Sequence, residues 1–161
     1  MHVYLVQHGK AKTTEEDPAR GLSDEGREDL EHIANFLAGL RLTISLIHHS
    51  GKRRADETAQ MLAASVRCTA GPCHTTGLNP TDDPSEIANF LKVYTDDVLI
   101  VGHLPNLERL TSLLLMGNPD RRPVQFRYGG VVCLEKEQNG TWSVVWAVVP
   151  DLLRAQTRLA A

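Results

Sequence analysis

The stretch His2-Val3-Tyr4-Leu5-Val6-Gln7-His8-Gly9-Lys10-Ala11 decides how the rest of the chain is read. Val3 to Val6 are a short apolar run of β-branched and aromatic residues, which predicts a buried strand. Gly9 ends it, because glycine lets the backbone turn sharply or approach a ligand closely. His8 therefore falls at the carboxyl end of the first strand, and open α/β sheets bind their ligands beyond that end. An imidazole held there is a candidate nucleophile, base or metal ligand; the plainer reading is a hydrogen-bonded histidine closing a strand.

Val98-Leu99-Ile100-Val101-Gly102-His103 repeats the pattern, so a second histidine stands at a second strand end. Leu104-Pro105-Asn106 then opens a helix whose apolar face is Leu107, Leu110, Leu113 and Leu114. Between the two histidines, Ser23 caps a helix with Leu30, Ile33, Ala34, Leu37 and Leu40 at helical spacing. Leu42 to Ile47 reads as a strand, and a helix follows through Leu62. A short strand is expected within Cys68 to Gly77, and a helix from Pro84 through Leu91. Asn139-Gly140 joins strands Val131–Lys136 and Trp142–Val149 as a hairpin. Asp151 to Ala161 reads as a frayed terminal helix.

Several features admit two readings. Lys52-Arg53-Arg54 sits at a helix start, where basic charge opposes the helix dipole; a bound anion would explain it, and a solvated basic patch would tolerate it. Asp82 and Asp83 are candidates for helix capping or for a general acid. His48 and His49 are adjacent on a strand and point to opposite faces, which argues against one metal held by both. Gly21 to Arg27 mimics a phosphate loop but lacks its Gly-Lys-Ser/Thr ending.

With 161 residues and a hydrophobic fraction of 42%, the chain is expected to form one globular domain, residues 1–161. Its net charge of −3 gives no reason to expect nonspecific nucleic-acid binding. The first strand begins almost at Met1, leaving no room for a signal peptide, and the apolar runs are too short to cross a membrane. Cys68, Cys73 and Cys133 form no C-x-x-C pair, which favours free thiols and a cytoplasmic location.

Taken together, these motifs resemble the histidine phosphatase superfamily, and within it the short SixA type. That superfamily opens with a strand and Arg-His-Gly; Gln7-His8-Gly9 stands there in this chain. Its Leu-Ser/Thr-x-x-Gly matches Leu22 to Gly26. Its Ser-x-x-x-Arg-Ala-x-x-Thr-Ala matches Ser50, Arg54, Ala55, Thr58 and Ala59. Its Gly/Ser-His-x-Pro matches Gly102 to Pro105, and its late Phe-x-x-Gly-Gly matches Phe126 to Gly130. The resemblance implies a three-layer α/β/α sandwich with a largely parallel, mixed sheet of the phosphoglycerate mutase type.

It also implies a reaction. Phosphoryl transfer needs an in-line nucleophile and positive charge around the equatorial oxygens. Neutral His8 would attack phosphorus, with Arg54 gripping the oxygens and a protonated His103 adding a second cation. Gln7, the Gly9 N–H, Lys10, Lys12 and Arg20 are further candidates for the same anion. Activity should then be bell-shaped in pH, with His8 neutral while His103 is charged. No metal or cofactor is required. The expected partner is a phosphohistidine-bearing protein; a small phosphorylated metabolite, or a phosphate-binding module without catalysis, are the alternatives. Gln7, lacking the charge of the family's Arg, predicts slow turnover.

Overall fold

The first strand lies inside a six-stranded sheet, and both histidine-bearing strands are central. The computed structural model describes residues 1–68 and 70–159, with side chains as far as Ala155. The strands are β1 His2–Gln7, β2 Leu46–His49, β3 Pro72–His74, β4 Val98–Gly102, β5 Val131–Lys136 and β6 Trp142–Val148. They run in the order β3-β2-β4-β1-β5-β6. β3, β2, β4 and β1 are parallel, while β5 and β6 are antiparallel additions at one side. The helices are α1 Asp24–Leu40, α2 Arg53–Ala63, α3 Pro84–Val93, α4 Asn106–Met116 and α5 Pro150–Leu159.

Alternation along β1 builds the three layers. Tyr4 and Val6 pack with α1 and α2, whereas Val3 and Leu5 pack with α3 and α4. A strand buried on both faces must read as an unbroken apolar run, which is what Val3 to Val6 and Val98 to Val101 are. The α1 stripe Leu30, Ile33 and Leu37 is fully buried, and each such side chain contributes about 1.5–3 kcal/mol.

The chain meets most of these expectations within a residue or two. The second strand differs: it lies at Leu46–His49, not Leu42–Ile47. Ile44 N–H and Ser45 N–H bond to Arg67 O and Asp97 O instead, and the ladder to β4 opens only at Leu46. His48 and His49 are thus inside β2. His48 turns to Phe90 and Thr75, and His49 turns to Asp56, on opposite faces as pleating requires. Asp83 caps α3 by accepting from Ser85 N–H, with Pro84 at the first helical position. The terminal helix begins at Pro150; Thr69 of the third-strand segment and the last two residues of the expected C-terminal helix lie outside the described residues. Among the described residues, no helix is long and apolar enough to cross a membrane.

Candidate active site

Parallel pairing brings the two histidines together. Gln7 is in register with Gly102, so His8 and His103 emerge side by side, their ring centroids 4.7 Å apart. His8 N–H bonds Gly102 O at 3.1 Å and locks the two strand ends. Both side chains are buried, at 7% and 2% exposure.

Small residues let two helices close on this point. A Cβ on Gly9 would meet Leu30 Cδ1 at 2.7 Å, and one on Gly26 would meet Lys10 O at 2.1 Å. Gly26 therefore allows α1 to rest on the backbone just beyond His8. Ser23 completes the joint: its Oγ donates to Lys10 O at 3.1 Å and accepts from Gly26 N–H at 3.1 Å. On the other side, Ala55 and Ala59 bury α2 against the sheet. Thr58 Oγ1 accepts from Gly9 N–H at 3.0 Å and donates to Arg54 O at 2.7 Å. The spacing of Arg54, Ala55, Thr58 and Ala59 thus has a mechanical meaning: one helix face docks and carries the arginine with it.

Arg54 is delivered to the nucleophile position. Its Nε lies 3.1 Å from His8 Nε2, while His8 Nδ1 lies 2.7 Å from Gly9 O. A carbonyl can only accept, so Nδ1 carries the proton and Nε2 keeps its lone pair. His103 Nε2 lies 2.6 Å from Ser50 Oγ, and its Nδ1 is buried with no hydrogen-bond partner among the described residues. The start of α2 has no side-chain cap. Arg54 is pushed below its ordinary pKa first by burial and then by Arg20. Neither arginine makes an ion pair among the described residues; Arg20 reaches only Lys12 O, at 3.5 Å. Two guanidiniums and an uncapped helix start without an anion between them suit a bound phosphoryl group.

The charge states differ from the expected pairing. Burial, then Arg54 and Arg20, push His8 down to about 4, against the opposing pull of its bond to Gly9. Burial, then His8, Arg54 and Lys52, push His103 down to about 3. Both imidazoles are therefore uncharged at neutral pH in the free site, so the charged His103 of the expected pairing is not in place there before a phosphoryl group binds. A phosphoryl dianion placed between them would favour a proton on His103.

The remaining candidates are distributed unevenly. Gln7 is 6% exposed, continues the row of Val3 and Leu5, and buries Oε1 with no hydrogen-bond partner among the described residues. The Gly9 N–H is taken by Thr58, whereas Lys10 pairs with Glu25 at the surface and its ammonium keeps further donors. Arg20, with φ of 52°, acts on both His8 and Arg54. Asp82 accepts from the backbone and side-chain N–H groups of Asn79, at 2.8 and 3.1 Å. Asp83 is held below the usual carboxylate range by the N–H of Ser85, which makes it a poor proton donor. Two residues had no role assigned from sequence. Glu57 accepts from Leu22 N–H, Arg27 and Arg53, and fastens the loop before α1 to α2. Tyr128 sets its ring 5.5 Å from that of His8. An aromatic directly before Gly129-Gly130 was the available signal for Tyr128. Among the described residues, no group of three His, Cys, Asp or Glu side chains could hold a metal ion.

No protein-family profile matches the chain. Over 159 residues it is 23% identical to phosphohistidine phosphatase SixA of Escherichia coli K12, covering 96% of this chain and 97% of that protein. The solved structure of protein histidine phosphatase SixA complexed with tungstate superposes with a TM-score of 0.83 at 23% identity, covering 95% of this chain and 99% of that one. A phosphoserine phosphatase mutant from Entamoeba histolytica, in complex with phosphoserine, superposes with a TM-score of 0.65 at 14% identity, over 91% and 95% of the two chains.

Proposed function

We propose that this chain, which resembles SixA in sequence and fold, acts as a member of the histidine phosphatase superfamily and hydrolyses phosphohistidine on a protein through a covalent intermediate on His8. The observation that carries this reading is the tautomer of His8. Gly9 O fixes the proton on Nδ1, so the Nε2 lone pair points into the space that Arg54 guards. A neutral imidazole at neutral pH is a competent nucleophile without help from a base.

The steps follow from the geometry. Nε2 attacks phosphorus, a P–N bond forms to His8, and the P–N bond to the substrate imidazole breaks; that imidazole takes a proton from solvent. Arg54 and Arg20 stabilise the equatorial oxygens, and His103 donates once the dianion has favoured its proton. Water then attacks phosphorus, the bond to Nε2 breaks, and inorganic phosphate leaves with His8 neutral again. An imidazole leaves more easily than an alkoxide, so the site needs no carboxylic acid, consistent with Asp82 and Asp83 being engaged in the loop and the α3 cap. Gln7 lacks the charge that an arginine would add, so turnover is slow. Free thiols at Cys68, Cys73 and Cys133 fit a reducing cytoplasm.

The decisive experiment is trapping. Incubation with a phosphoryl donor, quenching at alkaline pH and mapping of the label should place phosphate on His8, and His8→Ala should abolish both label and turnover. Label on another residue, or activity that survives in His8→Ala, refutes the proposal. Phosphate binding without label or turnover would favour the non-catalytic module instead.

A further inference from the structure

Tyr128 flanks the nucleophile at the protein surface. It is 50% exposed, whereas Phe126, two residues earlier in the same motif, is 4% exposed and packed in the core. Its ring centroid is 5.5 Å from that of His8, tilted by 41°. Tyr128 also lies close enough to Arg54 to influence it, so tyrosine, guanidinium and nucleophile are mutual neighbours. The backbone next to the ring is anchored. Gly129 N–H bonds Gln7 O at 2.9 Å and His8 O at 3.3 Å, and Gly129 has φ of 70°, which only glycine adopts freely. The residue that follows the ring is therefore tied to the backbone that carries the nucleophile.

In an in-line displacement the leaving group departs on the side of phosphorus opposite Nε2. His8 and its companion His103 are buried, so that side is the mouth of the site, where the exposed ring lies. Aromatic rings attract one another in offset or tilted geometries. An imidazole leaving group is a flat aromatic ring; the leaving oxygen of a serine or threonine phosphate carries none.

Resting on the reading of His8 as nucleophile, we propose that Tyr128 is a specificity-determining residue whose half-exposed ring receives a planar aromatic leaving group, the imidazole of phosphohistidine. Three donors with the same phosphoryl group separate this from a general role: N-phosphoimidazole, p-nitrophenyl phosphate and acetyl phosphate. Tyr128→Ala and Tyr128→Leu should each lower kcat/KM for the two aromatic donors by about threefold to tenfold, the size of an aromatic pair's attraction. Acetyl phosphate should be unaffected, and Tyr128→Phe should keep parental values on all three. Equal losses on the three donors, or none, overturn the proposal. An unsubstituted protein that turns over no donor defeats the phosphatase reading itself, and this one with it.

Discussion

Arg54→Ala removes the guanidinium that donates to the nucleophilic nitrogen, Nε at 3.1 Å from His8 Nε2. Two effects follow, and they have different signatures. The first is loss of a charged donor to the phosphoryl oxygens, about 1.5–3 kcal/mol, or roughly tenfold to 150-fold in phosphate or vanadate affinity. The second acts on His8 itself. Its depression to about 4 arises first from burial and only then from Arg54 and Arg20. Removing one of the two cations should therefore raise the His8 pKa, while burial keeps it below 6.5. The acid limb of kcat/KM moves up by the same amount, since that profile reports the free enzyme. Vanadate titration measures the first effect, and NMR titration of the His8 imidazole the second. Arg54→Lys separates them: the retained charge should hold the pKa near its parental value, while the lost planar fork leaves phosphate affinity reduced. A folded Arg54→Ala protein with parental vanadate affinity, or with an unmoved His8 pKa, would refute this account.

Three further outcomes are expected. His8 and His103 are both depressed in the fold, so the unfolded chain protonates first; stability should be full above about pH 6.5 and fall as pH drops towards 4, by up to about 2.7 kcal/mol per pH unit from the pair. Urea unfolding at a series of pH values tests this, and a His8→Asn/His103→Asn double variant that keeps the full slope would contradict it. Gln7→Arg should raise kcat/KM by about tenfold or more if the guanidinium reaches the phosphoryl oxygens, at some cost in Tm because position 7 is buried. Tighter phosphate binding with turnover still at background would mark a binding module. Asp83→Ala should cost about 1 kcal/mol by uncapping α3 and leave kcat intact; a tenfold loss of kcat would restore Asp83 as the general acid.

The sequence by itself determined the order of the elements and the placing of His8 and His103 at strand ends. Both are local matters: an apolar run long enough to be buried on two faces, then a glycine, then an abrupt change of composition. The spacing of Arg54, Ala55, Thr58 and Ala59 was legible for the same reason, because one helical face repeats every three to four residues. Only the tertiary structure decided what those groups are free to do. The Gly9 N–H looks available until α2 brings Thr58 to it, and Lys10 turns out to be shared with Glu25 of α1. The second strand begins later than its composition suggests because its first residues find partners at Arg67 and Asp97. The lowering of both histidines was hidden for a deeper reason. It depends on burial and on cations from Arg20, Lys52 and Arg54 converging on one point, and such sums are set by distances in space and not along the chain.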